Sequence, residues 1–293
     1  MIFLKQQMHN TRIFLIRLMR VDCEAAPAIV AQTMDLESFR DGYQTVLRVA
    51  PEGDLPEQLV FSHAGMVGLC GVNSAGVAIA CNNLSQLNHK TSGLPVAFVV
   101  RGILQRSTFD DALSALLEMS HASGQNYTIC GADGRVAMVE GSANGSELYF
   151  RSDDAKGVQA MRAPTSMLGF ECHTNHPLAS SDLSEAFLAA TEGEEPADDA
   201  LGHWGDNTNC RYESIQTFLR ESSPAARASG RDEVIALSKA ALTLRTHPEH
   251  PVCRHPSLGS MSLGSCVFVS GEMPALFCAQ GPADTRPYRE YTF

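Results

Sequence analysis

The stretch Ala64-Gly-Met-Val-Gly-Leu-Cys-Gly-Val-Asn-Ser-Ala-Gly-Val-Ala-Ile-Ala-Cys-Asn-Asn-Leu84 decides the fold of this 293-residue chain. It holds two apolar runs of small residues on either side of Asn73-Ser74-Ala75-Gly76. Because Asn and Gly tolerate positive φ angles, the pattern predicts two buried strands joined by a tight turn. The second run ends in Asn82-Asn83, whose amides either begin a loop or offer hydrogen-bond donors to a developing oxyanion.

The rest of the chain is predicted to place strands at both ends and helices in the middle. This pattern is typical of an α+β layered domain. The predicted strands cover 28–35, 43–50, 126–131, 135–141, 146–151, 157–162, 264–270 and 274–280, and the predicted helices cover 95–105, 109–119, 180–191, 211–220 and 231–242. Ser107 and Asp110 form a predicted capping box before the second helix. The acidic segment 192–200 is predicted to be a solvated loop rather than a lid.

Composition and charge argue against several classes of function. The chain is 44% hydrophobic, which is enough to bury a large core. Its net charge of −11 argues against a nucleic-acid-binding protein and against docking on an anionic membrane surface. The apolar stretch 13–19 is interrupted by Arg17, is too short to span a bilayer, and lacks the cleavage site of a secretory signal. We therefore expect no nucleic-acid or membrane partner, and the oligomeric state stays open.

Nine cysteines are spread along the chain without a Cys-x-x-Cys pair. An odd number of unclustered cysteines within apolar runs indicates reduced, buried thiols in a cytoplasmic protein. Cys172 and His176 have the spacing of helical metal ligands, but Gly169 and Pro177 disfavour a helix there. We therefore expect neither a metal nor an organic cofactor.

Several segments, taken in order, resemble the acyl-coenzyme A:6-aminopenicillanic acid acyltransferase family, a branch of the N-terminal nucleophile (Ntn) hydrolases related to the choloylglycine hydrolases. Besides the opening hairpin, they are Ala31-Gln-Thr-Met-Asp35, Gly93-Leu-Pro-Val96, Gly124-Gln-Asn-Tyr127, His173-Thr-Asn-His176 and Cys253-Arg-His-Pro256. The resemblance implies a four-layer αββα sandwich of two packed antiparallel sheets. It implies one Ntn-type domain over 23–293. Residues 1–22 do not resemble the family, and they are a strand, a propeptide or a sequence artefact.

The resemblance also implies a nucleophile. Family members cut their own chain so that a cysteine becomes the first residue, and its α-amine then serves as base for its thiol. The only cysteine before Asp35 is Cys23, so cleavage would fall between Asp22 and Cys23, and Asp35 would position the amine. Glu24 stands where the family has Thr or Ser, and the interval from Cys23 to Asp35 is shorter than in the family. A hairpin that paired these two residues would turn near Ile29, which is a poor turn residue.

Neutral amides and a basic residue complete the implied site. Asn82 and Asn175 are the implied oxyanion donors, and Arg211 is implied to tie down the N-terminal strand or an anionic substrate group. Arg211 also fits a solvated helix position, and Arg40 is a weak candidate for a second basic residue. We therefore predict a cysteine amidohydrolase or acyltransferase for a small acylated amine or acyl thioester. The alternative is an inactive Ntn-fold ligand-binding or scaffold protein without a working nucleophile.

Overall fold

Antiparallel strands form two sheets that stack face to face. The computed structural model describes residues 12–18, 27–152, 170–191, 205–226, 230–256 and 259–293, with backbone alone at 12–18 and 223–226. One sheet has six strands in the order β10-β1-β2-β11-β12-β13, and the other has seven in the order β3 to β9. The strands are β1 (Arg12–Leu18), β2 (Ile29–Glu37), β3 (Gln44–Val49), β4 (Gln58–His63), β5 (Cys70–Asn73), β6 (Ala78–Asn83), β7 (Gln125–Cys130), β8 (Val136–Gly141), β9 (Ser146–Arg151), β10 (Phe170–His173), β11 (Ser260–Val269), β12 (Ala275–Gln280) and β13 (Tyr288–Thr292).

Helices cover the two outer faces of this pair of sheets. The α-helices of the described residues are α1 (Val96–Ile103), α2 (Phe109–Glu118), α3 (Glu185–Ala190), α4 (Asp206–Ala226) and α5 (Arg231–Ala241). Helices α1 and α2 pack on the seven-stranded sheet, and α4 and α5 pack on the six-stranded sheet. The predicted four-layer αββα sandwich is therefore confirmed. In the described parts of the chain, every helix is too short or too polar to cross a membrane.

The central strand β2 contributes to both hydrophobic cores because its side chains alternate between two faces. Val30 and Met34 pack between the two sheets, whereas Ile29 and Ala31 pack against the α4–α5 side. Burial on both faces extends to the polar residues of this strand, since Gln32, Thr33 and Asp35 are buried as well.

The opening hairpin is confirmed at its turn and is shorter than predicted at its start. Gly76 adopts a φ of +79°, and a Cβ there would lie 2.8 Å from the Cβ of Ala132, so only glycine fits. The Asn73 carboxamide oxygen accepts the Val77 amide at 2.9 Å and closes the turn. The first apolar run becomes a strand only from Cys70 onward, because the chain turns at Gly65 with a φ of +89°.

Several predicted boundaries differ from the structure. Helix α3 begins at Glu185 with Ser184 as its cap, because the Ser184 hydroxyl accepts the amide of Phe187. Helix α4 begins at Asp206, five residues before the predicted start. Strand β13 is missing from the sequence prediction, because this short edge strand has little apolar alternation. The predicted strand 157–162 and the acidic segment 192–200 lie outside the described residues.

The N-terminal cap of α2 is Thr108, one residue after the Ser107 of the predicted capping box. The Thr108 hydroxyl accepts the Asp111 amide at 3.2 Å. We expect Thr108→Ala to lower the free energy of unfolding by about 1 kcal/mol, because that amide loses its acceptor. Urea unfolding measures this loss, with Ser107→Ala as the matched control; equal losses in the two variants would contradict the assignment of the cap.

The N-terminal strand lies inside the six-stranded sheet. Strand β1 pairs with β10 on one side and with β2 on the other. In this register Arg12 lies opposite Asp35, and Leu18 lies opposite Ile29. Ile29 is therefore part of a strand and not a turn, and the neighbour of Asp35 in the hairpin is Arg12. Cys23 falls in the sequence between β1 and β2 and lies outside the described residues.

Candidate active site

A row of buried polar side chains crosses three strands of the seven-stranded sheet. Asn82 on β6 pairs with Asn126 on β7, which in turn pairs with Glu140 on β8, and all three are fully buried. Asn126 Nδ2 donates to Asn82 Oδ1 at 3.0 Å, and the Tyr149 hydroxyl donates to Asn126 Oδ1 at 2.8 Å. These contacts join the two amides and the Tyr149 hydroxyl into one hydrogen-bonded row. Asn82 thus lies inside a strand and does not begin a loop.

Glu140 ties this row to the segment that follows β10. Its Oε1 lies 3.0 Å from His173 Nε2 and accepts the amide of Leu178 at 2.6 Å. Its Oε2 accepts the amides of Ala179 at 3.1 Å and Ser180 at 2.7 Å. Burial opposes ionisation of Glu140, but the hydrogen bond and charge of His173 and the backbone amides outweigh it, so the pKa of Glu140 is lowered.

His173 is the buried imidazole that contacts this carboxylate. Its Nε2 faces Glu140, and its Nδ1 lies 2.7 Å from the carbonyl oxygen of Thr174. Because Glu140 also accepts the amide of Ser180, these contacts hold both ends of segment 174–180, in which Asn175 lies.

Asn175 is held by four hydrogen bonds. Its Nδ2 donates to the carbonyl oxygen of Asn83 at 3.0 Å, and its Oδ1 accepts from Arg211 Nη2 at 2.9 Å. Its backbone amide donates to the Thr208 hydroxyl at 2.9 Å, and its carbonyl accepts from Gln86 at 2.9 Å. Because a guanidinium only donates, the contact with Arg211 fixes which end of the Asn175 amide is oxygen.

Arg211 lies on the second turn of α4 and is 1% exposed. This burial rules out the solvated helix position that the sequence also allowed. Its Nε lies 3.2 Å from the carbonyl oxygen of Asn207 and 3.1 Å from Asn207 Oδ1. Arg211 therefore joins the start of α4 to Asn175, and through it to the end of β6.

Asp35 lies in a second cluster, near the end of β2. It is 1% exposed, and its Oδ1 accepts from the Ser262 hydroxyl at 2.6 Å. Arg254 Nε lies 3.7 Å from its Oδ2. Gln32, on the opposite face of β2, donates to the carbonyl oxygen of Cys81 at 2.6 Å. The hydrogen bond of Gln32 therefore joins the two sheets at Cys81, next to Asn82. The hydrogen bond of Asp35 instead runs to Ser262 on the neighbouring strand β11.

Arg254 is a basic residue beside Asp35, whereas Arg40 has other partners. Arg40 forms an ion pair with Glu37 at 2.7 Å and lies 3.2 Å from His63 Nε2. The sequence signal for Arg254 is the segment Cys253-Arg-His-Pro256, whose resemblance to the family assigned no role to the arginine. These contacts of Arg40 run to Glu37 and His63 and not to Asp35.

Asn126 and Glu140 are two further buried polar residues of this region that were not predicted from the sequence. Asn126 stands in Gly124-Gln-Asn-Tyr127, a segment to which the resemblance gave no role for that amide. Glu140 interrupts the apolar strand 136–141, and an acidic residue inside a predicted buried strand was the available signal.

Cys172 and His176 do not share a partner among their hydrogen bonds. Cys172 Sγ accepts from Gln216 at 3.4 Å, whereas His176 Nδ1 lies 3.0 Å from the hydroxyl of Thr208. Residue 172 lies in strand β10 and not in a helix, as the flanking Gly and Pro predicted. Burial lowers the pKa of His176 to about 3, so its ring is neutral at ordinary pH.

The structure therefore brings two of the five predicted site residues into direct contact, because Arg211 donates to Asn175. Asn175 also donates to the backbone carbonyl of Asn83, the residue that follows Asn82 at the end of β6, whereas the Asn82 side chain contacts Asn126. Asp35 lies in its own cluster with Ser262 and Arg254, and Cys23 lies outside the described residues. The arrangement supplies neutral amides in a buried, hydrogen-bonded setting, which suits the stabilisation of a developing negative charge.

Comparison with a protein-family model agrees with this fold. A model described as Acyl-coenzyme A:6-aminopenicillanic acid acyl-transferase matches residues 21–237. The matched range includes Cys23, Asp35, Asn82, Asn175 and Arg211. No curated protein matches the sequence.

Several solved structures share the fold. A penicillin V acylase from Agrobacterium tumefaciens is 15% identical, with a TM-score of 0.56, and 96% of this chain and 86% of that chain are covered. A mutant of the conjugated bile acid hydrolase from Clostridium perfringens is 12% identical, with a TM-score of 0.54, and 96% of this chain and 97% of that chain are covered. The Caenorhabditis elegans ortholog of N-acylethanolamine-hydrolyzing acid amidase is 13% identical, with a TM-score of 0.52, and 87% of this chain and 91% of that chain are covered. The fold is that of the Ntn hydrolases.

Proposed function

Because the chain belongs to the acyl-coenzyme A:6-aminopenicillanic acid acyl-transferase family, we propose that it cleaves or transfers the acyl group of small acylated amines or acyl thioesters. The observation that supports this best is the pair of hydrogen bonds that joins Asn175 to Arg211 and to the backbone carbonyl of Asn83, next to Asn82 at the end of β6. The solved structures of the same fold carry the names of an acylase, a hydrolase and an amidase.

The amides of Asn82 and Asn175 are proposed to stabilise the tetrahedral oxyanion. Arg211 holds Oδ1 of Asn175, so the amide nitrogen is the end turned toward β6. That nitrogen carries two protons, and the carbonyl of Asn83 takes one of them. A neutral donor stabilises the oxyanion in the transition state without the tight hold on an anionic product that a lysine would exert.

Cys23 is proposed to be the nucleophile after cleavage between Asp22 and Cys23. The freed α-amine has a usual pKa of about 7.7–8.0, so it is partly neutral near pH 7 and can take the thiol proton. The thiolate attacks the acyl carbonyl carbon, the C–N or C–S bond breaks, and the leaving group departs with that proton. Water or a second amine then attacks the acyl-enzyme, which gives hydrolysis or transfer.

Asp35 is proposed to position the freed amine. Because Asp35 lies opposite Arg12 and Leu18 lies opposite Ile29, this role requires the freed N-terminus to move along β2 after cleavage. Its carboxylate is held by the Ser262 hydroxyl at 2.6 Å, with Arg254 Nε at 3.7 Å. The backbone amide of Arg254 donates to the same hydroxyl at 2.9 Å, so the three groups form one connected set. A buried carboxylate with a fixed orientation suits the placement of a cationic or partly protonated amine.

A ligand-binding or scaffold role without catalysis is the second candidate, and one observation favours it. Strand β1 is paired on both sides, with β2 and with β10. Cleavage between Asp22 and Cys23 would break the covalent link between this strand and β2. A chain that keeps β1 covalently attached would have no N-terminal cysteine.

The intact mass of the purified full-length protein under denaturing conditions separates these functions. For the proposed nucleophile, we expect a chain that lacks residues 1–22 and reacts with a thiol reagent at Cys23. We expect Cys23→Ala to remain full length and Cys278→Ala, which removes a buried thiol of β12, to be processed like the unmodified protein.

Two results would overturn the proposal in different ways. A full-length chain that releases acyl groups from amide or thioester substrates would exclude Cys23 as an N-terminal nucleophile and leave acyl transfer standing. A full-length chain without thiol labelling at Cys23 and without turnover would support the ligand-binding or scaffold role.

A further inference from the structure

Three potential metal ligands meet on the outer side of α4. Cys210 lies on this helix, and His247 and His250 lie on the loop between α5 and β11. One ligand atom from each residue lies within 4.8 Å of the others, and all three residues are partly exposed. We propose that Cys210, His247 and His250 bind a divalent transition metal such as Zn²⁺, with water as the fourth ligand.

The loop that carries the two histidines is fixed to the helix. The Thr246 hydroxyl donates to the Ser214 hydroxyl at 3.0 Å, and Ser214 donates to the carbonyl of Cys210 at 2.7 Å. The two imidazoles stack with centroids 4.8 Å apart and an interplanar angle of 14°. Much of the ordering that a metal would have to impose is therefore present before it binds.

The surroundings of Cys210 favour a cation. The carboxylates of Glu213, Asp206 and Glu249 lie close enough to Cys210 to act electrostatically on its thiol. The same carboxylates attract a divalent ion, and their negative charge offsets the cost of removing water from that ion when it binds the three uncharged ligands. On binding, the thiol releases its proton to solvent as the metal–sulfur bond forms.

A second cluster, Cys253, His255 and Asp284, is less suited to a metal. Arg245 Nη1 lies 3.1 Å from His255 Nε2 and 3.6 Å from Asp284 Oδ2. A guanidinium at that distance already supplies the positive charge that a metal would bring. The cluster therefore serves as an internal control.

Metal binding at His250 would also change the hydrogen bonds of Asn207, which contacts Arg211. His250 Nδ1 accepts from Asn207 Nδ2 at 3.0 Å. If Nδ1 binds the metal it loses this donor, and if Nε2 binds the metal Nδ1 must carry the proton instead. Either mode removes that hydrogen bond, and Asn207 Oδ1 is a group that accepts from Arg211.

Titration of the tag-free full-length protein with Co²⁺, followed by absorption spectroscopy, tests the site. We expect one Co²⁺ per chain with a sulfur-to-cobalt charge-transfer band, and displacement of that Co²⁺ by Zn²⁺. The band should be lost in Cys210→Ser, weakened in His247→Gln and in His250→Gln, and retained in Cys253→Ser. Circular dichroism checks that each variant is folded.

Three results would overturn the proposal. They are the absence of a charge-transfer band, a band that persists unchanged in Cys210→Ser, and a band that disappears in Cys253→Ser. If Cys210→Ser fails to fold, His250→Gln decides, because an unchanged affinity for Co²⁺ in that variant also contradicts the site.

Discussion

Asn175→Ala is expected to lower kcat for amide hydrolysis about 10²–10³-fold, which is the usual loss when one oxyanion donor is removed. The side chain is held between the Asn83 carbonyl and Arg211, so its donor is in place before substrate binds. An interaction that strengthens only in the transition state should lower kcat and kcat/KM together. Steady-state kinetics with an acylated amine that the protein turns over measure both constants.

Two control variants separate catalysis from folding. Asn175→Asp keeps an acceptor for Arg211 but has no amide donor, so it should lose activity while it keeps this buried contact. Asn144→Ala removes an exposed asparagine that contacts Asp182 and should leave kcat within a few-fold of the unmodified protein. An Asn175→Ala protein with unchanged kcat, or an Asn175→Asp protein with full activity, would contradict an oxyanion role for Asn175.

The fold was predictable where local pattern and tertiary structure agree. The turn at Asn73–Gly76 was found because only glycine suits a φ of +79° in contact with Ala132. The start of β5 was not found, because residues 64–69 are as apolar as a strand while Gly65 turns the chain there. Strand β13 lacked a periodic signal, because an edge strand buries little of its surface.

The site was predictable in its residue types and not in its connections. Asn175 and Arg211 are 36 residues apart in the chain, and no local pattern states that a guanidinium will orient that amide. The contact between Asp35 and Arg254 likewise depends on how β2 pairs with β11. A nucleophile at Cys23 remains a prediction, since that residue lies outside the described part of the chain.

Glu140→Gln is expected to destabilise the fold by about 3–5 kcal/mol near pH 7, the usual loss when one member of a buried ion pair is removed. The carboxylate accepts from His173 and from the amides of Leu178, Ala179 and Ser180. A glutamine has one oxygen and one NH₂ group, so two of these donors would face another donor. Urea unfolding measures the loss, with exposed Glu147→Gln as the matched control.

The pH dependence of unfolding provides an independent check on the same residue. The pKa of Glu140 is lower in the folded protein than the usual value of about 4.3, so its ionisation stabilises the fold above that pH. This stabilisation is lost as the pH falls through the lowered pKa, since the carboxylate is then protonated in both states. The stability difference between the unmodified protein and Glu140→Gln should therefore narrow on acidification. A difference that is constant from about pH 7 to about pH 3 would mean that Glu140 contributes by packing and not by charge.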